Sequence, residues 1–490
     1  MPVNKQQPDD LYLLIKSLTG AEKRYFRLYA QKESSDNSSY LDLFDIINEM
    51  NDYSLIELRR LVDENRLQTD LNKTKQYLFD SIIKALALFY ANNDIEIKLK
   101  FDLIETLILN KKNLPGIAGK KIKQLEKNAK KHYKSIVLTE TYILLKRNII
   151  NLSLMHFNDY DIDEVIRQQH LNLEILNEEN TFRDITLKIK QLINSSKNNA
   201  PEDIQKSCKK MLKLPELSDR NIPVSYVSLL IYYSVKWFLK MQTNQLEGAL
   251  TEINYYIELM NQQGKLTEQD KFNYITGFAN KGGLLIQMNR FKDAEKILPL
   301  IKAVECDNQL QEMLKFRVYY TNYVELYSLL KLPEKIISIF PEMEQEIILF
   351  KGKISEEVVQ QLYFAYAKAL FETDKVDKSI ILLSKIISSS EMHDLPKLSI
   401  AAKIQMLMCH YVKKNYAILP SMAMNINKQM AKLNFKNTFD YQFVKCFNRD
   451  FLLKGNQPLL KFATTAGVRE QQFIYSDITD FFSKHLLTVR

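Results

Sequence analysis

Glycine and proline are scarce, 11 and 12 in 490 residues. That leaves few helix breakers for so long a chain, and the apolar residues fall at three- and four-residue spacing instead of alternating. An almost entirely helical, all-α protein is therefore expected. Cysteine is rarer still: Cys208, Cys306, Cys409 and Cys446 stand far apart, which argues against a disulfide framework or a metal knuckle and for reduced, buried thiols. Long apolar runs are missing too. Residues 82–91 are interrupted by Lys84 and residues 226–235 end at Lys236, against the roughly 20 apolar residues a bilayer requires. The polar start MPVNKQQPDD has no secretory core, so a soluble, cytoplasmic protein without membrane insertion is expected.

Recognisable chemistry is equally sparse. His132, His156, His170, His393, His410 and His485 form no close pair, and no histidine–glutamate zinc motif occurs. Cys409 and His410 are sequence neighbours, but adjacent helical side chains diverge by about 100°, so they do not make a nucleophile and its base. Gly282-Gly283 lacks the strand and lysine-serine signature of a phosphate loop. The expectation is a non-catalytic protein with no cofactor and no metal.

What is present is repetition. The segment FANKGGLLIQMNRFKDAEKILPLI reads as a helix, a short polar turn and a second helix. Its turn region, Phe291 to Ala294, recurs as Leu246-Glu247-Gly248-Ala249, Leu332-Pro333-Glu334-Lys335, Val376-Asp377-Lys378-Ser379 and Tyr416-Ala417-Ile418-Leu419. The last residues of these stand 45, 41, 44 and 40 apart (249 to 294, 294 to 335, 335 to 379, 379 to 419). A near-constant period predicts stacked helix pairs, an α-solenoid, because one pair cannot bury its apolar face alone. Each unit needs only its neighbours, so the length alone does not demand separate domains.

Residues 226–430 resemble divergent tetratricopeptide repeats. In the best unit Phe278 stands at the first-helix aromatic position and Gly282 at the close-packing glycine, with Leu285, Phe291, Ala294 and Leu298 at the remaining packing positions. A second unit keeps Tyr233, Leu246 and Ile253 but has Trp237 in place of the glycine; another keeps Tyr363, Ala367, Leu370, Val376 and Leu383. The resemblance implies a superhelix whose first helices line a concave surface. The N-terminal pieces LIKSLTGAEKRYFRLYAQ and NKTKQYLFDSIIKALALFY resemble a group of uncharacterised helical proteins from Bacteroidota, a likeness that carries no assigned chemistry.

Four regions are expected: a helical bundle over 1–112, a middle helical region with degenerate repeats over 113–214, the repeat array over 215–440, and capping helices over 441–490. Thr19 and Glu22 form a capping-box pattern, and residues 33–39 a polar break. In a long helix ending near Tyr90, Leu71, Tyr77, Leu78, Ile82, Ile83, Leu86 and Phe89 can line one broad face. The boundary at 113 rests on Pro115, Gly116 and Gly119, read as a linker; residues 195–201 and 215–223 read as further loops. A final helix starting at Ser476 or Asp477 is expected to pack Phe481, Phe482 and Leu486 onto the array.

Three surfaces are candidates for binding. Projecting the repeat pattern puts Asn280, Gln287, Tyr320, Tyr327, Phe364 and Lys368 in the concave groove, where rings and amides suit an extended peptide. The same aromatics equally suit the core between repeats. Lys120, Lys123, Lys127, Lys131 and Lys134 step by three or four along one helix face, opposite Ile122, Leu125, Ala129 and Tyr133. That stripe is either a phosphate- or acid-binding face or simply a solvated one. Residues 54–92 have the outline of a helix-turn-helix with Arg59, Arg60, Arg66, Lys73 and Lys75, but Asp63, Glu64, Asp70 and Asp80 intervene and bundle packing competes. A net charge of +9 is mild for this length and does not by itself imply nucleic acid. The favoured expectation is a scaffold or adaptor for a protein or peptide; the alternative is a nucleic-acid-associated regulator.

Overall fold

The structure is a computed structural model that describes residues 9–33, 39–51, 53–65, 70–150, 161–195, 201–263, 266–389, 392, 395–436, 438–448, 451–465, 478 and 481. The protein is all-α, with no strand among the described residues, and no helix among them is long and apolar enough to cross a membrane. The chain divides into two compact units, Met1–Ile185 with Pro223–Ser228, and Thr186–Ile222 with Leu229–Arg490.

The first unit opens with α1 (Asp10–Ser17), α2 (Gly20–Glu33), α3 (Ser39–Glu49), α4 (Leu55–Glu64) and α5 (Leu71–Asn93). The Thr19–Glu22 capping box forms as expected: Thr19 N–H donates to the Glu22 carboxylate at 2.6 Å and Glu22 N–H to Thr19 Oγ1 at 3.3 Å. Helix α5 packs against α1, α2 and α3, so helices distant in sequence share one core. Phe26 and Phe44 meet there at 4.9 Å, with Ile15, Leu58, Leu78 and Ile82 sealed around them. The inward face of α5 is narrower than its sequence indicates: Leu78, Ser81, Ile82 and Ala85 are buried, whereas Tyr77 and Ile83 are exposed. Next come α6 (Ile95–Lys111), α7 (Pro115–Lys131), α8 (Ser135–Ile150) and α9 (Ile162–Ser195). Leu99, Ile122, Leu125 and Tyr142 join α6, α7 and α8 in a separate core.

Residues 113–119 are not a linker. Pro115 is the first residue of α7, where its missing N–H costs nothing, and Gly116 and Gly119 lie within the helix.

The second unit contains the end of α9 from Thr186, α10 (Pro201–Met211), a 3-10 turn (Pro215–Leu217), α11 (Tyr226–Gln242) from Leu229 onward, α12 (Leu246–Asn261), α13 (Glu268–Gln287), α14 (Phe291–Lys302), α15 (Gln309–Leu329), α16 (Pro333–Leu349), α17 (Glu356–Glu372) and α18 (Val376–Ser388). It continues through α19 (Pro396–Val412), a 3-10 turn (Tyr416–Ile418), α20 (Leu419–Lys432), α21 (Phe439–Lys445), α22 (Phe451–Lys454) and α23 (Gln457–Thr465). From α12 to α21 each helix packs against the next, and α13, α15, α17 and α19 also touch one another in order. The residues between α9 and α10, 196–200, lie outside the described set, as do 34–38 of the expected polar break. Ser476, Asp477, Phe482 and Leu486 of the expected terminal helix do so too. Phe481 is described and buried, 5.3 Å from Tyr411 and 5.8 Å from Phe443.

One turn geometry recurs. Asn244, Asn289, Lys331, Asp374 and Lys414 each have φ between 56° and 61°. In each case the following N–H reaches back five residues to a helix carbonyl, as in Gln245 to Lys240 at 2.8 Å and Arg290 to Leu285 at 2.9 Å. This double closure is the Schellman arrangement, which satisfies carbonyls that a helix end leaves open. Asn113, Tyr133 and Asn434 repeat it. Four of the segments read from sequence as turns begin two residues after the left-handed residue and Leu332–Lys335 begins one after it, so they lie chiefly in the first turn of each second helix. Five residues after each left-handed residue stands a buried one: Ala249, Ala294, Ile336, Ser379 and Leu419. Ile336, and not the exposed Lys335, is thus the true counterpart in the third pair.

Candidate functional site

Three of the six residues expected in a peptide groove are core residues. Tyr320 is 1% exposed, and its ring packs on Phe316 at 5.0 Å while its hydroxyl donates to Glu346 at 2.9 Å. Tyr327 is buried with its hydroxyl 2.7 Å from Glu295, on α14. Phe364 belongs to the large C-terminal core. These rings face the neighbouring helices because that removes the most apolar surface of α15 and α17 from solvent. Tyr320 and Tyr327 satisfy their hydroxyls inside the array, so neither offers one to a ligand.

Asn280 and Lys368 are half-buried and Gln287 is exposed. The neighbouring positions complete this polar face. Counting back six residues from the left-handed residues 289, 331 and 374 gives Gly283, Glu325 and Lys368, so Glu325 and Lys368 are equivalent. That register was legible only once Asn289, Lys331 and Asp374 were known to share a backbone conformation.

Desolvation shifts charged residues on α13, α15 and α19. Desolvation lowers the Lys281 ammonium, the positive charge of Arg290 lowers it further, and Asp293 opposes both. Glu325 is raised by desolvation although its side chain reaches solvent, a combination that a recessed surface produces. On α19, desolvation lowers Lys403, whose Nζ donates to Gln429 at 2.9 Å.

The lysines of α7 are sorted. Lys130 pairs with Glu126 at 2.8 Å, Lys134 with Glu96 at 2.6 Å, and Lys121 with Asp102 and Glu105. Lys134 is thereby removed from the expected stripe as an available charge. Lys120, Lys123, Lys127 and Lys131 are exposed, and Lys120, Lys127 and Lys131 have no ion-pair partner among the described residues. The charges of the helix-turn-helix outline, in contrast, are largely spent locally. Arg60 sits between Glu57 and Glu64, at 2.6 and 2.5 Å, Lys75 pairs with Asp9, and Arg66 lies outside the described residues. Leu78 and Ile82 of its second helix are committed to the bundle core.

Cys409 and His410 point to different surroundings. The thiol is buried, donates to Ser379 Oγ at 3.6 Å and is pushed up to about 11 by desolvation. The imidazole Nδ1 lies 3.1 Å from Asn415. Among the described residues no group of three His, Cys, Asp or Glu side chains is placed to hold a metal ion. No protein-family model matches the chain, and no curated protein matches it.

Proposed function

We propose that the second unit is a tetratricopeptide-repeat-like α-solenoid, and that the protein is a non-catalytic scaffold or adaptor binding a protein or peptide along its first helices. The observation that carries this reading is the sequential packing of α12 to α21 through one turn, with left-handed residues at 244, 289, 331, 374, 414 and 434 and a buried residue five positions later, a turn that residues 113 and 133 also form. Contacts between alternate helices α13, α15, α17 and α19 support a stacked array. Asn280, Gln287, Glu325 and Lys368 offer amides and charges on one side of those helices, suited to the backbone and ends of an extended chain.

The test is affinity capture from nuclease-treated lysate of the source cell, comparing the native chain with Asn280→Ala, Gln287→Ala, Glu325→Ala, Lys368→Ala combined. All four side chains are at least partly solvated, so the helical circular dichroism is expected to stay unchanged. Loss of a captured protein at least tenfold in the variant supports the groove; equal capture by both chains refutes it.

A second reading rests on the sorted lysines of α7, where Lys120, Lys127 and Lys131 are exposed with no ion-pair partner among the described residues while Lys121 and Lys130 are paired. In this reading α7 contacts nucleic-acid phosphates. Binding would then fall steeply with salt and disappear in Lys120→Glu, Lys123→Glu, Lys127→Glu, Lys131→Glu. Weak binding of equal strength by that variant would reject it.

A further inference from the structure

The first unit contains a half-open cavity of about 260 Å³ between the α7–α8 corner, α9 and residues 224–227. Its character is mixed. Leu138, Leu171, Ile175 and Val224 supply apolar lining, and Tyr133 and Tyr226 stand side by side at its wall with ring centroids 4.6 Å apart. Tyr133 holds this place from a left-handed backbone, φ 53°, which is unusual for a bulky side chain. The other non-glycine residues in that conformation among the described residues are Asn, Asp and Lys.

At the polar end lies Glu179, 4% exposed. Its Oε1 accepts the Ser135 hydroxyl at 2.7 Å, and Asn172, also buried, holds the Ser135 carbonyl at 3.1 Å and Thr139 at 2.8 Å. The other oxygen, Oε2, has Arg183 at 3.8 Å, too long for a hydrogen bond, and that guanidinium is 57% exposed. A carboxylate has about four lone-pair sites, so Oε2 retains capacity for a strong donor. The cavity's two lysines do not oppose this acid freely. Lys130 is held by Glu126 and lies over the Tyr142 ring, and Lys134 is held by Glu96.

We propose that this cavity receives a protonated amine or guanidinium on a short apolar stem, with Glu179 as counter-ion and the Tyr133–Tyr226 pair as aromatic wall. The stem fills the apolar lining, the cation lies against the rings, and its N–H reaches Glu179 Oε2. Such a group comes either from a basic peptide side chain or from a free amine. The volume admits one such group and excludes a folded partner. A buried carboxylate is raised by its own desolvation, and a bound cation compensates for that cost.

Isothermal titration calorimetry on the full chain tests this with agmatine and n-pentylamine as cations, n-pentanol and valerate as neutral and anionic matches, and the peptide acetyl-Ala-Arg-Ala-amide. The two cations are expected to bind at least tenfold more tightly than pentanol or valerate, and Glu179→Gln, which keeps shape and the Ser135 bond, is expected to weaken them at least tenfold. Should Glu179→Gln fail to fold, Leu171→Arg at the half-exposed rim brings a competing cation to the mouth and is expected to weaken both amines similarly. Tighter binding of the peptide than of agmatine assigns the source as a peptide side chain, and equal or weaker binding assigns a free amine; both support the site. Valerate binding as well as pentylamine, no binding of either cation, or cation binding unchanged in both variants would overturn it.

Discussion

The two units solve the same problem, burying the faces of helices, by different connectivity. In the first, α5 serves α1, α2 and α3 at once, so Phe26, Phe44 and Ile82 are brought together from distant parts of the sequence. In the second, α12 to α21 meet their nearest or next-nearest neighbours, through a turn that the first unit also forms at Asn113 and Tyr133. The comparison teaches that regular spacing in sequence reports local packing. A core gathered from distant segments leaves no period to read.

The largest test of that contrast removes one buried group from each unit. Phe44→Ala is expected to cost about 3–5 kcal/mol and to melt the α1–α5 bundle as a whole. Lys236→Ala is expected to cost less, about 1–3 kcal/mol, and for another reason. Lys236 is buried, bonded to Asp219 and, at 2.9 Å, to the Tyr232 hydroxyl, and lies 3.4 Å from buried Glu252. Its burial alone would lower the ammonium pKa, but the bonds to Asp219 and Tyr232 and the charge of Glu252 outweigh it and raise the group. Deletion leaves Asp219 largely in solvent and Glu252 still paired with Lys240 at 2.5 Å, so what is lost is the ammonium's hydrogen bonds and the packing of its stem. Urea titration followed by hydrogen exchange resolves the two cases: protection lost over residues 10–93 in the first, and over α11 and α12 in the second. Loss spread evenly over both units in either variant would dissolve the distinction.

A smaller effect is expected inside the array. Seven residues before each left-handed residue stand Trp237, Gly282, Val324, Ala367 and Leu407, so one repeat position carries very different volumes. At Gly282 an added Cβ would lie 2.7 Å from Asn322 Oδ1. Gly282→Ala should therefore destabilise by about 1–3 kcal/mol. Adding Asn322→Ala should recover at least half of the loss, because the clashing atom is removed. That oxygen is buried without a hydrogen-bond partner, while the amide nitrogen donates to Val318 at 2.8 Å. Thermal melts of the double-mutant cycle measure the coupling, and additive losses would show that the approach of α13 to α15 does not depend on this contact.

The smallest test compares two histidines. His132 in the first unit and His410 in the second are both lowered from 6.5 by desolvation, but His132 is lowered further by the charges of Lys131 and Lys134. Both favour the neutral ring when folded, so the unfolded chain binds protons first. Stability is therefore lost as the pH falls below about 6.5, the ordinary value, with the full penalty reached below the folded pKa of each. Added salt should raise the His132 midpoint and leave that of His410 in place, as followed by NMR titration. Equal salt shifts would locate the lysine charges elsewhere.

Helix content and the Thr19–Glu22 cap were legible in sequence because each depends on residues a few positions apart. The third repeat was misaligned by one residue, since Lys335 and Ile336 can be told apart only by which of them is buried. The groove shows the same limit: Tyr320, Tyr327 and Phe364 have the composition of a binding surface, yet Glu346, Glu295 and the C-terminal core claim them. The Glu179 cavity left no signal at all, because Tyr133, Ser135, Asn172, Glu179 and Tyr226 come from three separate stretches.

Sequence by itself determined that this chain is helical, because helix propensity, capping and apolar period act within a few residues. Tertiary structure alone decided which face of each helix meets protein and which meets solvent. That choice sent the tyrosines of α15 inward, turned Lys120, Lys127 and Lys131 of α7 to solvent and formed a half-open cavity beside Glu179. Its physical reason is competition for burial and charge pairing among groups far apart in the chain, which no local pattern encodes.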